Sequence, residues 1–563
     1  MTYSASPWLE HYDPGVPASI EYRLEPITAL LDFAAERHPR RTAVLFRNLR
    51  MDYATLRHKA GRFARSLREM GIRPGDRVAI MLPNLPQTIV AYWGALYAGA
   101  VAVFVNPLYM ETELTHILED SGARALVVLD LLWEKHRAVI EGSALERIIV
   151  TRVSGGLGFP LDWLYRVSAW RQGKFPRLEL DGKRTLRFGR CFAAEPYHIE
   201  GVDPLETTAL LQYTGGTTGI SKGVVLTHHN LSSNIQQAKA LLSVMAKETE
   251  VFLGLLPFFH IYGLQLLVNF ATANAAAVAP VPRFDPLDTL KAIARYRPTV
   301  FPGTPSVYMA LLQQKALPDF DLTCVRFCVS GSAPLPVEVL RRFKEVTRAE
   351  IVEGFGLTEA SPFTHVTPLH GQRKPGSIGL PFPDTQARIV DLADGVTPMP
   401  PGSPGELLIR GPQVMRGYWN RPEETADTLR GGWLHTGDIA VMDEQGYFFI
   451  VDRKKDMIIS GGFNVYPREI EEVLHTHPGV QEVAAIGVPH RSRGEVVKVY
   501  IVPKPGLTLT REEVMAFCKS HLAAYKAPKF VEFRTELPKT FVGKVLRRTL
   551  RAENPQTAPE ARA

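Results

Sequence analysis

Between Tyr213 and Gly223 the chain reads Tyr-Thr-Gly-Gly-Thr-Thr-Gly-Ile-Ser-Lys-Gly, a composition suited to holding phosphate. Gly215, Gly216 and Gly219 let the backbone turn tightly and aim its N–H groups inward. Thr214, Thr217, Thr218 and Ser221 add hydroxyl donors, and Lys222 adds a mobile positive charge. An ordinary P-loop needs Gly, four residues, then Gly-Lys-Ser/Thr. Counted from Gly216, position 221 is Ser and Lys222 is followed by Gly223, so the pattern fails at both places. The bland alternative is a Gly/Thr-rich surface turn, which leaves the lysine without a purpose.

Other residues with chemical capacity are spread along the chain. Glu353-Gly-Phe-Gly-Leu-Thr-Glu359 ends a Gly-rich loop in Thr358 and Glu359. A carboxylate there can hold Mg²⁺, which takes oxygen ligands and bridges nucleotide phosphates; otherwise Glu359 is a helix-start carboxylate. Asp438, in Thr436-Gly-Asp438, reads by itself as a turn former. Arg453 and Lys455, in Asp452-Arg-Lys-Lys-Asp456, read by themselves as part of a solvated charge run, and Lys544 as an exposed Gly-Lys turn. His260 sits in Pro257-Phe-Phe-His-Ile-Tyr-Gly263, an apolar setting in which a lone histidine is usually a satisfied core residue.

These residues need elements to position them. Arg77–Pro83, Val101–Val105 and Ala125–Leu129 read as strands, with helices over Pro86–Ala98 and Glu111–Gly122. Such alternation implies a mainly parallel α/β sheet. The pattern resumes after residue 205 with short strands at Thr299–Pro302, Val325–Ser330 and Glu350–Glu353. Each ends in a Gly- or Pro-bearing loop, where open α/β sheets place ligands. After Asp384 the chain turns β-rich: Gln386–Val390, Gly405–Arg410 and Gly446–Val451. The last stretch is α+β, with a helix opening at Pro467, strands at Val483–Val488 and Val496–Val502, and a capping box Thr510-Arg-Glu-Glu513 starting another helix. The charged run at residues 452–456 marks the boundary between a large N-terminal domain, 1–452, and a small mobile C-terminal domain, 453–563.

The 563 residues, 45% of them hydrophobic, suffice for several cores. A formal net charge of +7 and a pI of about 9.1 suit anionic ligands such as nucleotides or acidic lipid. No basic arm, RNA-binding signature or zinc-finger spacing points to nucleic acid. The four cysteines, Cys191, Cys324, Cys328 and Cys518, match no common metal pattern and fit a reducing compartment. Met1–Pro14 lacks the apolar core of a signal peptide, which places the chain in the cytoplasm. Val251–Pro282 contains no Asp, Glu, Lys or Arg, long enough to span a bilayer, but Pro257, His260, Gln265, Asn269 and Asn274 interrupt it, and it reads as buried core. Phe159–Phe175 mixes Trp163, Trp170 and Tyr165 with Arg166, Arg171 and Lys174. It reads either as a surface helix or as peripheral contact with the inner face of an anionic membrane.

The chain resembles the adenylate-forming superfamily of acyl-CoA ligases, luciferases and peptide-synthetase adenylation domains. The resemblance rests on segments that recur in order: the loop at 213–223, Glu353–Glu359, Thr436-Gly-Asp438, Asp452–Asp456, Gly461-Gly-Phe-Asn464 and Lys539-Thr-Phe-Val-Gly-Lys544. The run from Gly432 to Asp456 is similar to the signature of fatty acyl-CoA synthetases, and length and spacing resemble bacterial long-chain fatty-acid CoA ligases.

The resemblance implies ATP, Mg²⁺ and coenzyme A acting on a fatty acid. It makes Glu359 the Mg²⁺ ligand, Thr358 a phosphate contact, and Gly354, Phe355 and Gly356 part of the nucleotide site, with Phe355 where many relatives have Tyr. Gly331, Ser332, Ala333 and Pro334 would wall the adenine. Asp438 would accept the ribose hydroxyls beside Arg453. Lys455 would be the hinge, and Lys544 the lysine of adenylation. His260 would position the acyl carboxylate, and Gly461 and Gly462 would line the pantetheine path. The alternatives are transfer to a carrier protein, a different carboxylate class such as an aryl acid, or a non-catalytic lipid-binding module. Acyl chain length is left open, as is oligomeric state, for which a homodimer is one arrangement.

Overall fold

The computed structural model describes residues 6–157, 160, 163–164, 167–168, 171, 180–214, 221–242, 249–333, 335–460, 463–490, 493–539 and 545–554. The chain forms two compact units, one made of Trp8–Gln386 and Ile409–Leu434, the other of Met1–Pro7, Ala387–Leu408 and His435–Ala563.

The larger unit is built on two wide sheets. In the eight-stranded sheet, Val101–Phe104, Arg77–Met81, Ala125–Leu129 and Arg147–Thr151 run parallel at the centre. Their residues are almost all buried, as continuous Val/Ile/Leu runs covered on both faces should be. The expected helices are present as Pro86–Tyr97, buried along its whole length, and Glu111–Ser121, which ends on Gly122 in the left-handed conformation. Thr208–Thr214 joins parallel to Val101–Phe104, and Lys222–Thr227 then returns antiparallel to it.

The nine-stranded sheet runs parallel through Ala277–Pro280, Val251–Gly254, Val300–Gly303, Phe327–Ser330 and Glu350–Gly356. Antiparallel strands close its ends, Leu49–Asp52 at one and Phe363–Val366 with Leu380–Pro381 at the other. The expectation of mainly parallel sheets therefore holds at both centres.

The charge-free stretch after Val251 is interior, as read from its polar interruptions. It supplies two buried strands and the π-helical segment Leu264–Phe270. Gln265 donates to the carbonyls of Leu231 (3.1 Å) and Ser361 (2.7 Å), and Asn269 donates to Gln265 Oε1 (2.5 Å) and the Tyr92 hydroxyl (3.1 Å). Buried amides need such partners. Among the described residues no helix is long and apolar enough to cross a membrane.

The smaller unit contains most of the β-rich sheet Gln386–Val390, Gly405–Arg410, Leu434–Met442 and Phe448–Arg453. It also contains a sheet of Phe463–Val465, Ile458–Ser460, Gly494–Pro503, Val480–His490 and Phe530–Phe533. Helices Pro467–His475 and Arg511–His521 bury Ile470, Leu474, Val514 and Cys518 in one core with Val483, Val499 and Ile501. The capping box is formed: Thr510 Oγ1 accepts from Glu513 N (3.2 Å) and Glu513 Oε2 accepts from Thr510 N (2.8 Å).

Candidate active site

In the larger unit, Thr214 and Lys222 stand opposite each other at the mouth of a hairpin between antiparallel strands. Gly215, Gly216, Thr217, Thr218 and Gly219 lie outside the described residues. The Lys222 ammonium is ion-paired with Glu424 and lies 5.2 Å from the Tyr418 ring centroid. Tyr418 comes from the short strand Gly417–Tyr418, which pairs antiparallel with Lys222–Thr227, so Tyr418 faces Val224. Its hydroxyl donates to Glu359 Oε1 at 2.8 Å. Burial, reinforced by the Glu359 charge, pushes the Tyr418 phenol up, which keeps it a donor. The Met415 amide also donates to the Glu359 carbonyl (2.7 Å). One tyrosine thus joins the two residues that the sequence proposes for phosphate and metal.

Thr358 and Glu359 sit in the 3₁₀ turn Thr358–Ala360, directly after the strand Glu350–Gly356. That strand runs past the expected end at Glu353, so Gly354, Phe355 and Gly356 belong to a strand and not to a loop. The cause is an antiparallel partner: Gly354 faces Val366 and Phe355 faces His365. The Phe355 ring meets His365 edge-on at 6.0 Å. Gly331, Ser332 and Ala333 follow the strand Phe327–Ser330, as expected, while Pro334 lies outside the described residues. A Cβ at Gly331 would stand 3.1 Å from the Tyr262 ring, which is anchored by its hydroxyl to the Val329 carbonyl at 2.9 Å.

His260 is half-buried, and its Nδ1 accepts from the Tyr262 amide at 3.2 Å. Its loop is held by two amides that sequence reasoning missed. Asn84 donates to the carbonyls of Gly254 and Leu256 and accepts from Phe258 N, each at 2.8 Å. Gln212 donates to the Phe259 carbonyl at 2.9 Å. Gly263 completes the turn, since a Cβ there would lie 2.1 Å from the Pro257 carbonyl oxygen. Asn84, just after Pro83, carries the weak signal of a polar residue at the carboxyl end of a strand; Tyr418 and Gln212 carry none.

In the smaller unit, Asp438 and Arg453 face each other on the strands Leu434–Met442 and Phe448–Arg453. Arg453 Nε lies 3.0 Å from Asp438 Oδ1, and the buried Oδ2 has no hydrogen-bond partner among the described residues. A buried carboxylate oxygen with spare acceptor capacity suits a sugar hydroxyl. The acidic ends of the charged run, Asp452 and Asp456, are buried and paired, while Lys455 between them is exposed. Lys454 pairs with Glu406 (3.1 Å), Asp452 and Asp456 with Arg547 (3.6 and 3.3 Å), and Asp456 with Arg551 (3.1 Å). The exposed Lys455 has no ion pair among the described residues; the desolvation of its neighbourhood, with the Arg453 charge beside it, draws its ammonium below the usual lysine range. Gly461 and Gly462 lie outside the described residues, between the paired strands Ile458–Ser460 and Phe463–Val465. Lys544 lies outside them as well.

Glu359 fits a magnesium site of the kind that nucleotide enzymes use. Among the described residues no group of His, Cys, Asp or Glu gathers to cage a metal unaided. A single carboxylate with one oxygen held by Tyr418 leaves the remaining coordination to phosphate and water, which is how Mg²⁺ is commonly bound.

Comparison with known proteins gives the class of this protein. A family model described as AMP-binding enzyme matches residues 31–419, and one described as AMP-binding enzyme C-terminal domain matches residues 469–544. The chain belongs to the AMP-binding enzyme family. It is 44% identical to a long-chain-fatty-acid–CoA ligase of Bacillus subtilis (strain 168), over 98% of each chain. It is 40% identical to a long-chain-fatty-acid–CoA ligase of Escherichia coli O6:H1, over 97% of this chain and 98% of the other. Among solved structures, ATP-bound MatB from Rhodopseudomonas palustris superposes with a TM-score of 0.81 at 30% identity, covering 94% of this chain and 99% of that one.

Proposed function

We propose that the protein is a long-chain fatty acid–CoA ligase, converting ATP, fatty acid and coenzyme A into acyl-CoA, AMP and diphosphate through an acyl-AMP intermediate. The observation that carries this reading is 44% identity to a ligase of that name over 98% of both chains.

In the first half-reaction the fatty carboxylate attacks the α-phosphate of ATP, and the bond to diphosphate breaks. Carboxylate and triphosphate are both anionic, so the site must offset their repulsion. Lys222, Thr214 and the loop residues up to Gly219 take the phosphates, with Thr358 beside them. Glu359 would hold Mg²⁺, which when bound neutralises phosphate charge. Asp438 and Arg453 take the ribose, Gly331 to Ala333 and Phe355 the adenine, and His260 the acyl carboxylate. Lys544 stabilises the charge that develops on the α-phosphate, a role that needs no unusual pKa. In the second half-reaction the CoA thiol attacks the acyl carbonyl, the thioester forms and AMP leaves. The segment 453–563 changes orientation about Lys455 between the two, bringing Gly461 and Gly462 to the pantetheine. Splitting the condensation in this way follows the logic of covalent catalysis.

We place the enzyme in the cytoplasm and read Phe159–Phe175 either as a surface helix or as a peripheral contact with the inner face of the membrane. Four free cysteines support the cytoplasmic location, and the aromatic-basic composition of Phe159–Phe175, most of which lies outside the described residues, supports the membrane contact.

The test is AMP release from ATP with saturated acids from acetate to stearate, each with and without CoA. CoA-dependent release that peaks at long chains is the expected result. Acyl-AMP without a CoA effect would instead indicate carrier-protein transfer, and no AMP with any acid would overturn the reading.

A further inference from the structure

Lys222 already has an anion. Its ammonium is ion-paired with Glu424, its side chain is only 15% exposed, and the Tyr418 ring flanks it at 5.2 Å. Glu424 is itself placed by the helix Pro422–Thr428, which begins just after the strand carrying Tyr418. That strand is fixed on both sides: Trp419 N donates to the Gly223 carbonyl at 2.7 Å, and Trp419 Nε1 donates to the Asp120 carbonyl at 3.0 Å. Arg421, 3.8 Å from Glu424, also leans on Asp120 at 3.3 Å. A single braced segment therefore carries the carboxylate that holds Lys222 and the phenol that holds Glu359.

From this arrangement we infer that Glu424 is an internal stand-in for phosphate: it holds Lys222 while the nucleotide is absent, and the outer phosphates of ATP must displace it. The inference rests on the nucleotide-binding reading above. It follows from charge. One ammonium cannot fully satisfy a carboxylate and a triphosphate together, and a second anion left beside the phosphates opposes binding. The exchange has two consequences. It keeps a half-buried lysine satisfied between turnovers, and it makes the site discriminate by phosphate number, because AMP has no outer phosphates with which to compete for Lys222.

The experiment is equilibrium binding of ATP and AMP by calorimetry to the full-length protein with Mg²⁺ and without fatty acid, with thermal unfolding as a check on folding. Glu424→Gln should tighten ATP binding by about twofold to fivefold, the worth of one such ion pair, and leave AMP unchanged. Glu424→Asp should restore the wild-type ratio. Equal shifts for ATP and AMP, no shift, or weaker ATP binding in Glu424→Gln would overturn the inference while leaving the function intact. A wild-type protein that binds neither nucleotide would overturn both. Should Glu424→Gln unfold, Glu424→Ser is read in the same way.

Discussion

Asp438 and Arg453 are paired across two antiparallel strands, Nε 3.0 Å from Oδ1, so that only the inner carboxylate oxygen of Asp438 is unused among the described residues. The arginine fixes the carboxylate's rotation and leaves one acceptor for a ligand. Asp438→Asn keeps the shape and turns an acceptor pair into a donor and an acceptor. ATP binding should weaken about tenfold to a hundredfold, the worth of hydrogen bonds to a charged group. Binding of 2′,3′-dideoxy-ATP should hardly change. Equal losses for both nucleotides would remove the ribose assignment.

Lys544→Ala should abolish formation of acyl-AMP from ATP and fatty acid. Thioester formation from supplied acyl-AMP and CoA should survive largely intact. Single-turnover assays of each half-reaction separate the two, and a common loss would contradict the role.

Asn84 satisfies two carbonyls and one amide of the loop that carries His260, all inside the protein. Asn84→Ala removes the Asn84 partner of the Leu256 carbonyl and the Phe258 amide, while the Gly254 carbonyl still accepts from Val281 N at 2.9 Å, at about 1–3 kcal/mol for each group that water cannot reach. Urea unfolding should show a loss of about 2 kcal/mol or more, and KM for the fatty acid should rise more than KM for ATP. A stable variant with normal acid KM would show that the clamp does not hold His260.

Burial lowers His228 to about 4, with His198 adding to the effect, and burial alone lowers His365 to about 3. Both stay neutral in the folded state where an unfolded histidine, near 6.5, takes up a proton. Their contribution is therefore complete above about pH 6.5 and is lost as pH falls toward their folded values. Stability should decline steadily from about pH 6.5 to pH 4, by roughly 3 kcal/mol per histidine. His228→Leu should flatten that slope, whatever it does to stability at pH 7. An unchanged slope in chemical denaturation would refute this.

Local pattern made much of this protein legible. The strands at Ala125–Leu129 and Gln386–Val390 and the helix opening at Pro467 appear at the residues where alternation and punctuation put them. What could not be read was pairing between distant segments. The strand near the 450s was expected to stop at Val451, but its partner Leu434–Met442 extends it to Arg453, and that extension is what sets Arg453 against Asp438. Gly354–Gly356 looked like a loop because glycine usually marks one; the neighbouring strand Phe363–Val366 made it a strand. Tyr418 and Glu424 left no trace in the pattern, because their importance comes from what lies across a sheet and not from their neighbours in the chain.

Arg547 binds Asp452, Asp456 and Glu471 together, from a position three residues after Lys544 in the chain. The acidic ends of the run at 452–456 and the stretch just after Lys544 therefore share one ionic knot. In the proposed mechanism that knot couples the pivot to the lysine it carries, so slackening it would loosen both in a single stroke.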